Sequence, residues 1–475
     1  MLRRKQRRGE RQATMDGSRR SAHLATDHIP ALRPVLADEV SRFIQLEREV
    51  EDEFRPALLD ALQRRVEALA DQLSNQPTGC PQCGHRMASH DARGVSWWCR
   101  FGRLQVRVRR YRCPHCQRQW RPLLDQLGVE AGRISGSLAR LLAVLGVAVP
   151  YELAARLALL CLGVKVSPMS VWRVVQRLGE ACEQYGEALA RYHADSGSTS
   201  AATVPPPAVV VLGVDGCALG MQVRSQRRRR EASEVPLPPL SPVEEGRFRE
   251  VKTGVLLLPV ERVEPSPGRH ALIRRFLVSC LGDADGIFSR LWARLQELGW
   301  LGPHTLVVIV GDGAEWIWKR AELFVHRCEI LDFWHAVEHA WEFARLQYGD
   351  PSAQAARWVH RLARDLRAGK VERVIARLKT LRTTSPEAQE KLDALIRYYT
   401  ANAARMRYGE YLRLGYGIGS GAVESAHKQL VHARLRQAGM RWSEWGARRL
   451  LALRVLLLNG DWDQLDRLRM VAVAA

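Results

Sequence analysis

The sequence predicts an α/β fold, in which a mixed sheet covered by helices follows a smaller, cysteine-containing region. Continuous apolar runs at 208–214 and 305–310 are typical of buried central strands. Residues 284–298 are predicted to form a helix between them, and 333–457 are predicted to be mostly helical. A Ser/Thr/Pro-rich stretch at 194–207 precedes the strands, and we expect it to be a linker between domains.

The N-terminal segment and the net charge both indicate a polyanionic partner. Residues 1–22 carry eight Lys and Arg, which predicts a disordered basic arm at 1–33, and a helical segment follows at 34–79. The whole chain has a net charge of +21, with further basic clusters at 91–125 and 227–230. Such an excess favours nucleic acid, although a basic proteome alone also produces it.

The expected location follows from two features that the sequence lacks. The basic start MLRRKQRRGERQ has no apolar segment after it, so it does not match a secretory signal. The chain has no run of about eighteen apolar residues, so we expect neither a transmembrane helix nor a membrane partner. We therefore expect a cytoplasmic protein.

Four of the ten cysteines form two pairs, CPQC at Cys80 and Cys83 and CPHC at Cys113 and Cys116. Each pair offers two thiolates from one tight turn, and two such turns complete a tetrahedral Zn²⁺ shell with no open position. We therefore predict structural zinc in a zinc ribbon at 80–122, with a redox CxxC or buried thiols as alternatives. Alternative ligands are His85, His115 and Cys99.

The predicted ribbon is strongly basic. Nine arginines and no acidic residue lie between Asp91 and Asp125. Apolar and polar residues alternate along 104–109, so Arg107 and Arg109 are expected on one face of a strand. We predict that these two arginines contact DNA.

Residues 131–193 predict a helical region that contains a helix-turn-helix. Gly163 marks the turn, and Ser167 with Pro168 matches a helix start. A plain helical hairpin is the alternative. The side predicted to be buried consists of Val171, Trp172, Val174, Val175 and Leu178. The open side, expected to enter the major groove of DNA, consists of Ser170, Arg173, Gln176 and Arg177.

Three acidic residues follow elements that suit a catalytic site. Asp215 in GVDG and Asp312 in GDG come directly after buried strands, and glycines beside them let a ligand approach. Glu424 lies where a Gly-rich loop enters a helix, with Ser420 as the expected N-cap. Taken singly, each aspartate fits a turn. Together, three carboxylates can hold two Mg²⁺ (or Mn²⁺) ions for displacement at phosphorus.

Six strings resemble those of bacterial insertion-sequence transposases of the ISKra type. They are GVDG, REVKTGVLLLP, VVIVGDGAEWIW, LDFWHAVEHAW, GSGAVESAHKQL and GMRWSEWGARRLLALRVLLLNGDWD. The resemblance runs from Cys80 to the C-terminus and is strongest from Glu250 onward. It implies an RNase H-like catalytic core with a large helical part, preceded by a zinc-ribbon and helix-turn-helix DNA-binding region.

The resemblance also assigns roles to individual residues. It implies a catalytic, metal-binding triad of Asp215, Asp312 and Glu424, with Asp332 and His335 as auxiliary residues. The catalytic domain is expected at 208–460, with an insertion at 224–247 and a helical region at 333–415. The linker, this insertion and the basic arm do not match family strings. Further residues expected to contact DNA are Lys428 and Trp442.

Two short motifs favour other functions and are set aside. His335 to His339 matches the H-x-x-E-H pattern of zinc peptidases, but such five-residue patterns arise by chance and nothing else indicates a peptidase. Residues 417–421 are glycine-rich, but no strand precedes them as a dinucleotide-binding loop requires.

The sequence therefore predicts a DNA transposase that hydrolyses phosphodiesters and transfers strands at the ends of an insertion sequence. Its partner is expected to be double-stranded DNA, both terminal repeats and target, in a bacterial, nucleoid-associated setting. Synapsis of two ends makes a homo-oligomer the expected assembly. The alternatives are a non-catalytic, sequence-specific DNA-binding protein derived from a transposase, and a nuclease that cuts without joining.

Overall fold

The computed structural model describes residues 39–74, 79–129, 134–196, 205–222, 248–266, 269–272, 274–465 and 467–468. The chain divides into two compact units, 1–72 and 73–475. The predicted basic arm at 1–33 and the predicted insertion at 224–247 lie outside the described residues, as does most of the predicted linker. None of the described helices has the length and apolar content needed to cross a bilayer.

The first unit contains one long helix, α1 (Glu39–Ser74), which lies within the helical segment predicted at 34–79. Ion pairs one turn apart, between Arg55 and Glu51 and between Arg64 and Asp60, support it along its polar side. The apolar residues of its N-terminal half are exposed and do not pack into a hydrophobic core within the described part of this unit. These residues are Phe43, Ile44, Leu46, Val50, Phe54 and Leu58.

A three-stranded antiparallel sheet follows, with β1 (Ala88–Cys99), β2 (Gly102–Arg112) and β3 (Gln119–Trp120) in that order. Residues 100 and 101 connect β1 to β2 in a tight hairpin, which pairs Cys99 with Gly102. Side chains alternate along β2 between buried and exposed, as the sequence pattern predicts. The buried side packs Trp97 of β1 against Leu104 and Val106 of β2.

The helical region contains α2 (Pro122–Gln126), α3 (Gly136–Ala148), α4 (Tyr151–Leu162) and α5 (Pro168–Ser196). Helix α4 ends at Gly163, which has φ 63°, a backbone conformation that glycine adopts without strain. Helix α5 begins where predicted, and Ser167 Oγ accepts the Ser170 N–H at 3.1 Å.

A five-stranded mixed sheet forms the centre of the second unit, in the order β10-β9-β4-β5-β8. Strands β4, β5 and β8 are antiparallel neighbours, whereas β9 and β10 run parallel to β4. Strands β6 and β7 form a separate hairpin. The strand bounds are β4 (Val209–Gly220), β5 (Phe248–Leu257), β6 (Arg262–Ser266), β7 (Arg269–Leu272), β8 (Phe276–Leu281), β9 (Leu306–Gly311) and β10 (Arg327–Leu331).

Helices cover both faces of this sheet. They are α6 (Ala284–Glu297), α7 (Glu315–Ala321), α8 (Phe333–Tyr348), α9 (Ala353–Arg367), α10 (Val371–Lys379), α11 (Pro386–Asn402), α12 (Tyr408–Arg413), α13 (Gly421–His427) and α14 (Glu444–Leu458). Helix α6 packs Leu291 against Gly254 on one face, and α13 packs Val423 against Gly213 on the other. Single helical turns lie at Pro259–Glu261 and Ala403–Arg405, and a π-helical turn at Lys428–His432 continues α13.

Helices α3 to α5 share one continuous hydrophobic core with the sheet. Two buried arginines reinforce this contact: Arg434 donates to the carbonyl of Gly146, and Arg454 donates to the carbonyl of Val147 at 2.6 Å. These bonds satisfy carbonyls at the C-terminal end of α3, where cations are also favoured by the helix dipole. The composition change at 194–207 is therefore not a break in packing between the described helices and the sheet.

Candidate active site and metal centre

Asp215 lies within β4 and not at its end, because β4 continues to Gly220 and pairs Asp215 with Thr253. The prediction of a strand end is corrected in this respect. Only β5 continues beside this part of β4, since the pairing with β9 stops at Gly213. The Gly216 N–H donates to Asp215 Oδ1 at 2.6 Å, and Oδ2 lies 3.3 Å from His427 Nδ1.

Asp312 follows β9 directly, as the sequence predicts. Strands β4 and β9 pair Gly213 with Val310, and continuing this register by two residues aligns Asp215 with Asp312. Aligned residues of neighbouring parallel strands point to the same face, and the strands lie about 4.8 Å apart. The carbonyl of Asp312 accepts the Tyr398 hydroxyl at 2.8 Å, which fixes the turn after β9.

Asp332 extends this acidic row, because β10 pairs Leu331 with Gly311 and Asp332 aligns with Asp312. Its side chain is fully buried and caps α8 by accepting the Trp334 N–H at 2.6 Å. It also accepts the N–H and the hydroxyl of Ser420. Asp332 therefore joins the start of α8 to the start of α13, and Ser420 uses its hydroxyl for this contact and not to cap α13.

Glu424 is exposed in the first turn of α13, on the sheet face that carries Asp215. Successive residues of a helix are about 100° apart. Val423 faces Gly213 in β4, and Ser425 contacts Arg275, which precedes β8. Glu424 lies between these two positions around the helix, and its side chain is exposed.

The three predicted catalytic acids come from three segments that the fold brings to one face. Their carboxylate oxygens are not all within 4.8 Å of one another, since the metal-ligand groups found at that spacing among the described residues are cysteine and histidine clusters. The aspartates are half-buried, whereas Glu424 is exposed. The site thus has two fixed acids and one whose side chain remains in solvent.

His427 is a residue that the sequence reasoning missed. It is the last residue of α13, 5% exposed, and contacts the Asp215 carboxylate. Glu424 is three residues earlier on the same helix, so the two residues are neighbours on the helix surface. The spacing E-x-x-H in the GSGAVESAHKQL string was the available signal.

His335, predicted as auxiliary, is half-buried on α8 with Nδ1 3.6 Å from Glu338. His339 has Nδ1 3.9 Å from Glu342, and its ring packs against Tyr398. Each histidine thus faces a glutamate of its own helix. The described residues do not assemble the two histidines into a metal-ligand group, which disfavours the peptidase motif.

The four predicted zinc ligands do come together. Sγ of Cys80 lies 3.5 Å from that of Cys116, and Sγ of Cys83 lies 3.5 Å from that of Cys113. Zinc bonds of about 2.3 Å in a tetrahedron require sulfurs about 3.8 Å apart, so the cluster could hold a metal ion such as zinc. Although burial opposes it, backbone hydrogen bonds from Gln82 and Cys83 lower the pKa of Cys80 to about 6.

The two cysteine turns repeat the same backbone pattern. Cys80 N–H donates to the carbonyl five residues later, and so does Cys113 N–H. The fourth residue after each of these cysteines has a positive φ, 74° at Gly84 and 61° at Gln117. His85 and His115 stack on each other with ring centroids 4.3 Å apart, and with Cys83 they form a second candidate ligand group.

The arginines predicted on the ribbon lie on its exposed face. Arg107 and Arg109 are both exposed, beside Arg103, which donates to Ser96. Arg110 differs, because it forms an ion pair with Asp91 at 2.7 Å. Hydrogen bonds and charge from Arg110 and Arg93, against a smaller opposing effect of burial, lower the pKa of Asp91 to about 2. The exposed arginines are available to an anionic surface.

Of the residues predicted on the exposed side of α5, only some have exposed side chains. Arg173 is exposed and Ser170 and Arg177 are half-buried, but Gln176 is 6% exposed. The prediction for Gln176 is therefore wrong, because α5 is a long helix packed on α14 and Gln176 faces Gly446. Trp172 is corrected in the opposite direction, being 41% exposed.

The remaining residues predicted to contact DNA differ in exposure. Lys428 is exposed at the start of the π-helical turn. Trp442 is half-buried, pairs with the end of β4 through Gly220, and donates its indole N–H to the Leu435 carbonyl at 2.8 Å. Arg434 stacks against its ring. Trp442 therefore contributes to the packing between β4 and α14.

Comparison with protein families gives one match. Residues 264–470 match the family described as "Uncharacterised protein family (UPF0236)". The matched range includes Asp312, Asp332 and Glu424, and begins after Asp215 and after the cysteine cluster. No curated protein matches the chain.

Proposed function

We propose that this protein is a DNA transposase that uses Asp215, Asp312 and Glu424 for metal-dependent phosphoryl transfer on DNA. The observation that carries the proposal is that the segments bearing these three carboxylates lie on one face of the sheet. The register of β4 and β9 aligns Asp215 with Asp312 on one face, and α13 carries Glu424 over the same face. The two aspartates are half-buried and Glu424 is exposed, so none of the three carboxylates is part of the hydrophobic core.

The sheet topology supports an RNase H-like core of the ISKra transposase type. Such cores have an antiparallel meander of three strands followed by two parallel strands, and the order β10-β9-β4-β5-β8 has this arrangement. The matched family, UPF0236, is associated with transposase-like proteins. The family match covers β8, β9 and β10, whereas β4 and β5 lie before it.

Mg²⁺ or Mn²⁺ suits the proposed site, because its donors are carboxylate oxygens, the hard ligands that these ions prefer. Asp215, Asp312 and Glu424 are the residues that would hold the ions. Bound there, the ions would activate the attacking oxygen and stabilise the leaving oxygen. The protein's own part is to hold Asp215 and Asp312 on rigid strands and to bring Glu424 from α13.

DNA as the substrate is supported by the charge and by the ribbon. The chain has a net charge of +21, and the exposed face of the cysteine ribbon carries Arg103, Arg107 and Arg109. Arginine side chains on a surface of this kind neutralise phosphates and release counterions. We propose that the ribbon, held by structural zinc, and α5 contact element ends in the bacterial cytoplasm, with two copies or more in the synaptic assembly.

The proposal is tested with Asp215→Asn in the full chain. The substrate is a duplex carrying the inverted repeats that flank the gene, in Mg²⁺ buffer. The variant is expected to lose cleavage and strand transfer while binding the duplex as tightly as the wild type. Asp285→Asn, at an exposed aspartate paired with Arg320, is the control. Cleavage by Asp215→Asn at the wild-type rate would overturn the proposal.

A second candidate is a non-catalytic DNA-binding protein derived from a transposase. It is favoured by the exposed side chain of Glu424 and by carboxylates that do not form one tight ligand group. This candidate predicts that the wild-type chain binds the duplex but does not cut it with Mg²⁺ or Mn²⁺. A nuclease on the same core would instead cut without joining, which the strand-transfer readout detects.

A further inference from the structure

We propose that His427 is a positioning residue that orients the Asp215 carboxylate for metal binding; this inference rests on the proposed function. Its Nδ1 lies 3.3 Å from Asp215 Oδ2, and both side chains are largely shielded, at 6% and 19% exposure. The Gly216 N–H donates to the other oxygen, Oδ1. Oδ1 thus accepts a backbone N–H and Oδ2 lies against the imidazole, so both oxygens have a neighbour that restrains the plane of the carboxylate and leaves lone pairs for a cation.

The second ring nitrogen of His427 indicates that packing alone does not explain why a histidine occupies this position. Nε2 is buried and has no hydrogen-bond partner among the described residues. An unpaired buried nitrogen opposes folding, so a plain apolar residue would suit this position better if only packing mattered. Nδ1, by contrast, faces the Asp215 carboxylate at 3.3 Å.

Arg454 holds the turn that follows His427 from the side opposite to Asp215. The π-helical turn Lys428–His432 begins at the next residue. Arg454 of α14, 6% exposed, donates to the carbonyls of Leu430, at 2.7 Å, and of Gln429. These bonds satisfy carbonyls that an irregular turn leaves open. The backbone that carries His427 is therefore fixed on both sides, by β4 through Asp215 and by α14 through Arg454.

The experiment measures Mn²⁺ binding to the full chain, with zinc retained and without DNA, by titration calorimetry. His427→Ala is expected to bind Mn²⁺ about 10- to 100-fold more weakly than the wild type, the usual effect of removing a group that orients a ligand. His427→Asn should restore most of the affinity, because its amide nitrogen can occupy the place of Nδ1. His427→Gln should not, because its amide reaches the position of Nε2 instead.

Two controls separate this inference from a merely structural role and from the proposed function. His432→Ala removes an exposed histidine on the following turn and should leave Mn²⁺ affinity unchanged. Asp215→Asn should abolish the site. If His427→Ala binds Mn²⁺ like the wild type while Asp215→Asn does not bind, the positioning role is overturned and the metal site stands. If Asp215→Asn binds Mn²⁺ like the wild type, the proposed site itself is overturned.

Discussion

The cysteine ribbon and the acidic face, by which we mean the sheet face with Asp215, Asp312 and Glu424, are two candidate metal sites built in opposite ways. In the ribbon, two turns of the same backbone pattern each supply two sulfurs, and all four sulfurs meet at distances that suit one ion. On the acidic face, the three acids come from β4, the end of β9 and the short helix α13, and Glu424 remains exposed. The ribbon is assembled by local chain geometry, whereas the acidic face is assembled by tertiary packing.

The difference fits the two roles that we propose, a structural ion at the cysteine cluster and catalytic ions at the acidic residues. Four thiolates around zinc leave no open position, so the ion contributes to folding and not to chemistry. Carboxylates that are spread over one face leave coordination positions for water and for phosphate oxygens. In the proposed function, the exposed side chain of Glu424 would complete the site when metal and DNA bind. Three experiments test this contrast.

The largest effect is expected at Glu424. Glu424→Gln removes one negative ligand and should lower cleavage of element-end DNA by at least about 10²-fold, the scale of losing one preorganised electrostatic group. The melting temperature should not change, because the side chain is exposed. Glu372→Gln is the matched control, since Glu372 is also exposed in the first turn of a short helix. Unchanged cleavage in Glu424→Gln would show that Glu424 is not needed and would leave Asp215 and Asp312 as the acids of the site.

The next largest effect is expected at the cysteine cluster. We expect the wild type to copurify with zinc and Cys80→Ser to lose it, as elemental analysis would measure, and we expect residues 79–129 of the variant to become open to proteolysis. In small metal-binding units of this kind, the free energy of zinc binding stabilises the fold. Cys161→Ser, at an exposed cysteine of α4, should retain zinc. Full zinc content in Cys80→Ser would instead favour the second group of Cys83, His85 and His115.

The smallest effect is expected at the ribbon arginines. Arg107→Ala combined with Arg109→Ala should weaken DNA binding and reduce the slope of log K against log salt by about 1.8, if each arginine neutralises one phosphate. The measurement is a fluorescence anisotropy titration at several salt concentrations. Arg320→Ala, at an arginine paired with Asp285, should leave the slope unchanged. An unchanged slope in the double variant would exclude this face from the DNA contact.

The local patterns of the sequence predicted much of the fold. The cysteine spacing predicted the cluster of four sulfurs, and the alternation along β2 predicted the exposed arginines. Gly163 and Ser167-Pro168 predicted the end of α4 and the start of α5. These features depend on neighbours within a few residues, which the sequence shows directly.

Other features could not be read from local patterns. Gln176 has a polar side chain at a position that looks open on an isolated helix, but α14 covers it. Trp172 shows the reverse, because an apolar side chain can remain exposed where no other element packs. The extension of β4 past Asp215 depends on pairing with β5, a strand that follows the predicted insertion at 224–247.

The sequence by itself predicted the cluster of four sulfurs and the basic ribbon, because each depends on composition or short spacing, and the family resemblance pointed to the three acidic residues. Tertiary structure alone decided which residues meet at the acidic face. The register of β4 and β9 aligns Asp215 with Asp312, and the packing of α13 on β4 brings His427 to Asp215 across 212 positions of the chain. Strand register and helix packing are set by contacts between distant segments, and a single sequence does not display those contacts.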